Sequence, residues 1–355
     1  MRHYVARMRF DTRILGIACV VAGAGAMLAT AAALLTGCGR GGSSTTSGGA
    51  PQSAFKIALL TPGPVSDAGW NAAAFDGLQL IKHDLGAETA MVQTQSPADF
   101  DDAMRDFAQR GFTIIFAHGF EYTDTAIKVA KLFPKTWFIV TSGSAASANV
   151  ASVTFRIEEG AYVEGVIAGG MTKSGVVGAV GGIKIPSIGV TFEGFRQGFL
   201  SIRPTGRVLI SYTGSFDDVG AAKEAALAQI SQGADLLIHN ADAAGLGVFQ
   251  AAVQSHIYAF GVNRDQNNVA PDNVIASALT HIPKAFLRVA TEIKDGAFKP
   301  GMIEYGMKDG MVEVVYNPRL MDKIPPALMA KARQAGQDII DGKVVVPGTL
   351  GATAK

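Results

Sequence analysis

Hydrophobic and polar positions follow a repeating order along most of the chain. The stretch 55–85 shows the unit clearly: a short apolar run (FKIALL), a loop rich in Pro, Gly and Ser (TPGPVSDAGWN), and then apolar residues at Phe75, Leu78, Ile81 and Leu85. The run predicts a buried strand, and the spacing of the later residues predicts one face of a helix. Strands that alternate with helices in this way are typical of parallel sheets with right-handed crossovers.

The same alternation continues to about residue 262. Ser96 is a predicted helix cap with Pro97 at the first helical position, and Gly111 marks the end of that helix. Apolar runs predict further strands, each followed by a helical segment, at Thr113–Ala117, Trp137–Val140, Val176–Val180, Val208–Ser211, Leu236–His239 and Ala259–Val262. About 300 residues of this pattern favour an α/β protein of two doubly wound parallel-sheet lobes.

The loop after the first strand is a candidate for half of a binding site. In open parallel sheets, small ligands bind in the crevice beyond the carboxyl ends of the strands. The loop carries Asp67, Trp70 and Asn71, which offer a carboxylate, a flat stacking surface and an amide. The alternative interpretation is a surface loop whose Trp70 packs under the next helix.

The first 38 residues are typical of an export signal. Four arginines precede an apolar run from Ile14 to Leu35, which ends in Leu35-Thr36-Gly37-Cys38. This ending matches the lipobox of bacterial lipoproteins, in which the Cys is lipidated and becomes the new N-terminus. Residues 39–54 then form a predicted flexible tether, and the folded body is expected in the cell envelope, facing the periplasm or the exterior. A retained transmembrane span is the alternative.

Composition excludes several classes of site. The two cysteines of the chain, Cys19 and Cys38, both precede the predicted body, so the body can form no disulfide, Cys metal site or Cys nucleophile. The formal net charge of +1 gives no indication of nucleic-acid binding. Neither a metal nor a cofactor is expected.

The order of short motifs in the body resembles the basic membrane protein family, purine-nucleoside-receptor-like lipoproteins that serve as substrate-binding components of ABC importers. Eight motifs in the family's order carry the resemblance: Asp67-Ala-Gly-Trp70-Asn71, Ala74-Phe75-Asp76-Gly77, Glu158-Glu159-Gly160-Ala-Tyr162, Gly181-Gly182, Gly194-Phe195-Arg-Gln-Gly198, Gly245-Leu-Gly247, Gly261-Val-Asn263-Arg-Asp265 and Leu279-Thr280-His-Ile-Pro-Lys284. The resemblance implies a type I periplasmic-binding-protein fold.

The resemblance also implies the domain plan and the partners. The first lobe is expected to hold residues 55–158 and about 283–320, and the second 159–282 and the C-terminal segment. A hinge between them would close both lobes on a nucleoside or nucleobase. The expected partners are this small molecule, an ABC permease and ATPase, and the membrane through the N-terminal lipid, with a monomeric body and no nucleic acid.

Departures from the family pattern affect the expected ligand. Ser142 and Asn263 stand where the family has Asp, whereas Lys284 is retained. By resemblance those acidic positions help to hold the ligand, so their loss changes the hydrogen-bond demand of the pocket. We expect a buried Lys284 short of negative charge, so that either Asp265 turns inward to replace the lost carboxylate or the ligand supplies an acceptor or negative group. Weak discrimination between nucleosides and free bases is therefore expected.

Other functions have less support in the sequence. Among enzyme motifs, G-x-S-x-G, H-E-x-x-H and a Walker A loop are all missing from the sequence. His118 and His239 follow predicted strands, where they could hydrogen-bond a base edge; core histidines are the alternative. A lipoprotein that senses a ligand and signals to a membrane receptor has the same sequence features as an importer component.

Overall fold

The computed structural model describes residues 55–67 and 69–348. They fall within one compact unit, Pro51–Lys355. The predicted signal segment, Cys38 and the tether lie outside the described residues. In residues 55–67 and 69–348, no helix combines the length and apolar character needed to cross a bilayer.

The described residues form twelve strands and nine α-helices. The strands are β1 (Lys56–Thr61), β2 (Glu88–Gln93), β3 (Ile114–His118), β4 (Trp137–Thr141), β5 (Val150–Phe155), β6 (Val176–Gly181), β7 (Arg207–Tyr212), β8 (Leu236–Asn240), β9 (Tyr258–Asn263), β10 (Val274–Thr280), β11 (Met302–Tyr305) and β12 (Val312–Tyr316). The helices are α1 (Trp70–Leu85), α2 (Pro97–Gln109), α3 (Thr123–Ala130), α4 (Ile157–Met171), α5 (Pro186–Ile202), α6 (Val219–Ser231), α7 (Gly245–Ser255), α8 (Ile282–Lys294) and α9 (Pro326–Ile340).

The strands form two six-stranded sheets. The first has the order β11-β5-β4-β3-β1-β2 and is parallel throughout. The second has the order β12-β10-β9-β8-β6-β7, and β12 alone pairs antiparallel. The predicted α/β fold with two doubly wound, mainly parallel sheets is therefore confirmed.

Each sheet has an apolar core on both faces. In the first lobe, α1 and α8 pack on one face around Leu78 and Phe286, and α2 and α3 pack on the other around Met104. In the second lobe, α4 and α5 cover one face, with Phe195 of α5 buried in that core, and α6 and α7 cover the other. Two separate cores of this kind let each lobe move as a rigid body.

The chain crosses between the lobes three times. The crossings lie between β5 and α4, between β10 and α8, and between β11 and β12. The structure differs here from the assignment of residues 283–320 to the first lobe, because β12 pairs with β10, with Val312 opposite Thr280. Leu320 also packs in the core of the second lobe. The third crossing therefore falls at residues 306–311.

Side chains connect the first and third crossings. The guanidinium of Arg156 lies 3.1 Å from the Glu159 carboxylate and also donates to the carbonyl oxygen of Val346 at 2.5 Å. The other carboxylate oxygen of Glu159 accepts from the backbone N of Met307 at 2.7 Å. The hinge is therefore a hydrogen-bonded cluster that links several segments.

Candidate ligand-binding site

A cavity of about 330 Å³ lies between the carboxyl ends of the two sheets. Its volume is at the lower end of the range for small-molecule sites. Loops after β1, β3 and β4 line it from the first lobe. Loops after β6, β7 and β8 and the last residue of β9 line it from the second. The cavity is thus where the strand–loop–helix order of the sequence predicted a site.

Four of the predicted site residues line this cavity. Trp70 and Asn71 begin α1, Ser142 follows β4, and Asn263 ends β9. The structure therefore brings together residues that are up to 193 positions apart, three from the first lobe and one from the second.

The indole of Trp70 rests on a buried imidazole. The ring centroids of Trp70 and His118 are 4.3 Å apart, and the ring planes meet at 22°. His118 Nε2 donates to the Trp70 carbonyl oxygen at 3.0 Å, and the Thr141 hydroxyl donates to Nδ1 at 2.8 Å, because a carbonyl can only accept. Burial lowers the pKa of His118 to about 3, so the ring is uncharged at neutral pH. His118 packs against one face of the indole and does not line the cavity.

Asp67 organises the start of α1. Its carboxylate accepts from the backbone N of Gly69, Asn71 and Ala72 at 3.0, 2.8 and 2.9 Å, and from Asn71 Nδ2 at 2.8 Å. A carboxylate that satisfies the free amides at a helix start is stabilising. Asp67 is therefore a helix cap, not a cavity residue as predicted.

Asn71 is left with a free acceptor. Its side chain is buried, with a relative exposure of 4%, and its Nδ2 is engaged by Asp67. Its Oδ1 has no hydrogen-bond partner among the described residues. A buried acceptor without a partner is costly, and since Asn71 lines the cavity, a donor on a ligand would remove that cost.

Three other predicted site residues lie away from the cavity. His239 Nε2 donates to Gln266 Oε1 at 2.9 Å, and burial lowers the pKa of His239 to about 4, so it is a neutral core histidine. Asp265 is exposed and accepts from the backbone N of Asn267 at 3.0 Å. Lys284 is also exposed, with Nζ 3.5 Å from the Gly310 carbonyl oxygen. The expectation of a buried Lys284 is therefore wrong.

The structure adds carboxylates and aromatic rings that the sequence analysis did not assign to the site. Glu121, Asp217 and Asp242 line the cavity, and burial raises the pKa values of Glu121 and Asp242. Phe120 and Phe216 line it from opposite lobes. Neither lysine nor arginine is among the residues that line this cavity, so a neutral or cationic ligand suits it better than an anion.

Residues with an unfavourable backbone conformation also lie at the cavity. Ser142, Asp242 and Asn263 have φ of 54°, 51° and 68°, and all three line the cavity. Among the described non-glycine residues with positive φ, only His256, the residue that caps the C-terminus of α7, lies elsewhere. Backbone strain of this kind is concentrated at ligand sites. None of the three residues is a glycine, so this left-handed backbone has no signal in the sequence.

Gly182 makes room for Phe216. A Cβ on Gly182 would overlap the Phe216 ring, and a Cβ on Gly181 would lie 2.7 Å from the Tyr212 ring. These two glycines therefore permit aromatic side chains to pack beside β6, which places Phe216 at the cavity wall.

Comparison with known proteins shows the family. A sequence profile described as "Bmp: ABC transporter substrate-binding protein PnrA-like" matches residues 54–349. The chain belongs to the Bmp family. The resemblance noted from the eight motifs is thereby confirmed, and this Bmp family member is an ABC transporter substrate-binding protein. The expectation that it is not an enzyme is also confirmed, because the family consists of solute-binding proteins.

Two relatives are similar over most of the chain. A purine-binding protein of Brucella abortus is 30% identical over 273 residues, which are 76% of this chain and 77% of the relative. The ABC transporter nucleoside-binding protein BmpA of Lactococcus lactis is 30% identical over 339 residues, 89% of this chain and 95% of the relative.

Solved structures confirm the fold. A solute-binding protein of an ABC transporter from Aeropyrum pernix superimposes with a TM-score of 0.75 at 22% identity, over 83% of this chain and 94% of that one. One from Conexibacter woesei gives a TM-score of 0.69 at 26% identity, over 83% and 99%. The Bmp family member therefore has the two-lobed fold of solute-binding proteins.

Proposed function

We propose that this protein captures a purine nucleoside, or a closely related nucleobase compound, between its lobes and presents it to an ABC importer. The observation that carries the proposal is the indole of Trp70, held flat on the neutral ring of His118 and lining the cavity beside the unpartnered Oδ1 of Asn71. A flat heteroaromatic ring that bears an N–H donor satisfies both groups at once.

Phe216 supports a ring-shaped ligand from the second lobe. It lines the cavity from the loop after β7, whereas Trp70 lines it from the first lobe. Aromatic rings on both lobes can enclose a base as the lobes close, and closure then buries both faces of the ligand. The purine-binding and nucleoside-binding relatives described above favour the same class of ligand.

The carboxylates of the cavity suit the hydroxyl groups of a sugar. Asp217 lies on the second lobe and Glu121 on the first, and each carboxylate can accept from a hydroxyl. These groups compensate for the Asp residues that Ser142 and Asn263 replace. The expectation of weak discrimination between nucleosides and free bases assumed a buried Lys284, and that side chain is exposed. We therefore propose that nucleosides bind more tightly than free bases.

The proposed location is the outer face of a cell membrane. Leu35-Thr36-Gly37-Cys38 supports lipid attachment at Cys38, and the tether would let the body reach a permease. The expected partners are the permease and ATPase subunits of the importer.

A thermal-shift panel tests the ligand class. Adenosine, guanosine, inosine, their free bases, adenosine monophosphate and ribose would be compared at equal concentration. We expect the nucleosides to raise the melting temperature most, since a ligand that binds only the native state stabilises it. The monophosphate should give a smaller shift, because acidic side chains and no basic ones line the cavity. A shift with ribose alone, or with the monophosphate above the nucleosides, would contradict the proposal.

A further inference from the structure

One carboxylate of the second lobe contacts the first lobe across the cavity. Asp242 follows β8, and its Oδ1 accepts from the backbone N of Trp70 at 3.0 Å. Trp70 is the first residue of α1, and the first amides of a helix have no acceptor within it. A Cβ on Gly69 would overlap the Asp242 carboxylate, so this approach requires a glycine there.

The neighbouring amides are held within the first lobe. The backbone N atoms of Asn71 and Ala72 donate to Asp67, 2.8 and 2.9 Å away. Trp70 thus differs from them in having its acceptor on the opposite lobe. Another hydrogen bond between the lobes joins Arg264, after β9, to Asp76 of α1 at 3.0 Å, and its two side chains are 35% and 51% exposed.

The backbone of Asp242 is unfavourable without such contacts. Its φ of 51° is in the left-handed region, which glycine adopts at lower cost. The hydrogen bond to Trp70 offsets part of that cost, and it exists only when the lobes are together.

We propose that Asp242 is a positioning residue that holds the cleft closed and so sets how long a bound ligand stays. The proposal rests on the proposed function in one respect only, that the cavity between the lobes takes a ligand. Since the contact is made by Oδ1 to a backbone amide, a side chain that keeps the acceptor should keep much of the effect, and one that lacks it should not.

Hydrogen exchange at single amides tests the contact itself. The protein and its variants Asp242→Gly and Asp242→Asn would be compared with and without guanosine, using Asn71 and Ala72 as internal references. We expect Trp70 exchange to accelerate at least tenfold in Asp242→Gly and by less in Asp242→Asn, with the two reference amides unchanged. Glycine suits the positive φ, so this variant should fold, which circular dichroism would check.

This experiment distinguishes a failure of the Asp242 contact from a failure of the proposed ligand class. Equal Trp70 exchange in the wild-type protein and Asp242→Gly, under both conditions, would overturn the role of Asp242. If guanosine protects no amide in the wild-type protein, the proposed ligand class fails, while a Trp70 difference between ligand-free proteins would still support the contact.

The rate of ligand release tests whether Asp242 sets how long a bound ligand stays. Stopped-flow tryptophan fluorescence would measure guanosine dissociation, with Trp137→Phe as the background so that Trp70 alone reports. We expect Asp242→Gly to dissociate about 3- to 10-fold faster, as for loss of a hydrogen bond between uncharged groups. The matched control Asp76→Asn, which breaks the exposed ion pair with Arg264, should change release less than about threefold. An unchanged dissociation rate in Asp242→Gly, or an equal effect of both variants, would overturn the proposal.

Discussion

Replacing Trp70 by alanine should weaken ligand binding by the free energy of one stacking contact. His118 covers one face of the indole at a centroid distance of 4.3 Å, which leaves one face for a ligand. A single base–aromatic stack is worth about 1–3 kcal/mol, which corresponds to roughly 5- to 150-fold in affinity. Trp70→Phe keeps a ring at the same place, so we expect a loss of about 1 kcal/mol or less.

The same change also affects folding, and the two effects need separate measurements. Trp70 is half-buried against the first core, so Trp70→Ala should lower the free energy of unfolding by roughly 2 kcal/mol, about half the usual cost for a buried aromatic. That is tolerable for a domain with about 5–15 kcal/mol of stability. Calorimetry with guanosine would give the affinity, and urea denaturation the stability. Unchanged affinity together with lowered stability would show that Trp70 only packs under α1 and would refute the stacking role.

Further predictions concern pH, stability and anchoring. Burial and the charge of Asp67, with a smaller effect of Asp217, raise the pKa of Asp242 from 3.8 to about 8 in the closed cleft. Opening exposes the carboxyl, so closure takes up a proton, and guanosine affinity should fall as pH rises from about 4 to about 8 and change little above that. Asp242→Asn should remove this trend. Burial raises the pKa of Glu164 well above its ordinary 4.5, so urea denaturation should show stability falling as pH rises above that value; an equal slope in Glu164→Gln would contradict this. Cys38→Ala should block fatty-acid labelling and leave an uncleaved precursor; labelled, processed protein would refute the lipid anchor.

The alternation of apolar runs and helical faces was enough to predict the fold class. β1, β3 and β4 are continuous apolar runs because parallel strands are buried on both faces. The predicted Ser96 cap is present, with Ser96 Oγ accepting from the backbone N of Asp99. β2 escaped notice because it is an edge strand whose residues are only partly buried, so it shows no apolar run.

The site was only partly predictable. Trp70, Asn71, Ser142 and Asn263 could be found because they directly follow or end strands, and the sheet brings those positions together. Which way a side chain points depends on its neighbours: His118 and His239 both end or nearly end strands, yet each is fixed in the core by hydrogen bonds to distant residues. Local sequence does not contain those partners.

Asp242 shows a second reason why the site was only partly predictable. Its contact with Trp70 joins residues 172 positions apart, and it depends on how two separately folded lobes meet. The position of Lys284 was predicted wrongly for a related reason. Lys284 lies next to the crossing between β11 and β12, and the apolar pattern of one segment does not specify where the chain crosses between the lobes.

Isothermal titration calorimetry with guanosine and adenosine, with ribose for comparison, tests the central claim most directly. We expect one nucleoside bound per chain, with a negative heat-capacity change because aromatic and aliphatic surface of the cavity is buried on binding. We also expect little or no heat from ribose. Saturable binding of ribose without binding of either nucleoside would contradict the claim that this cleft is built around a stacked base.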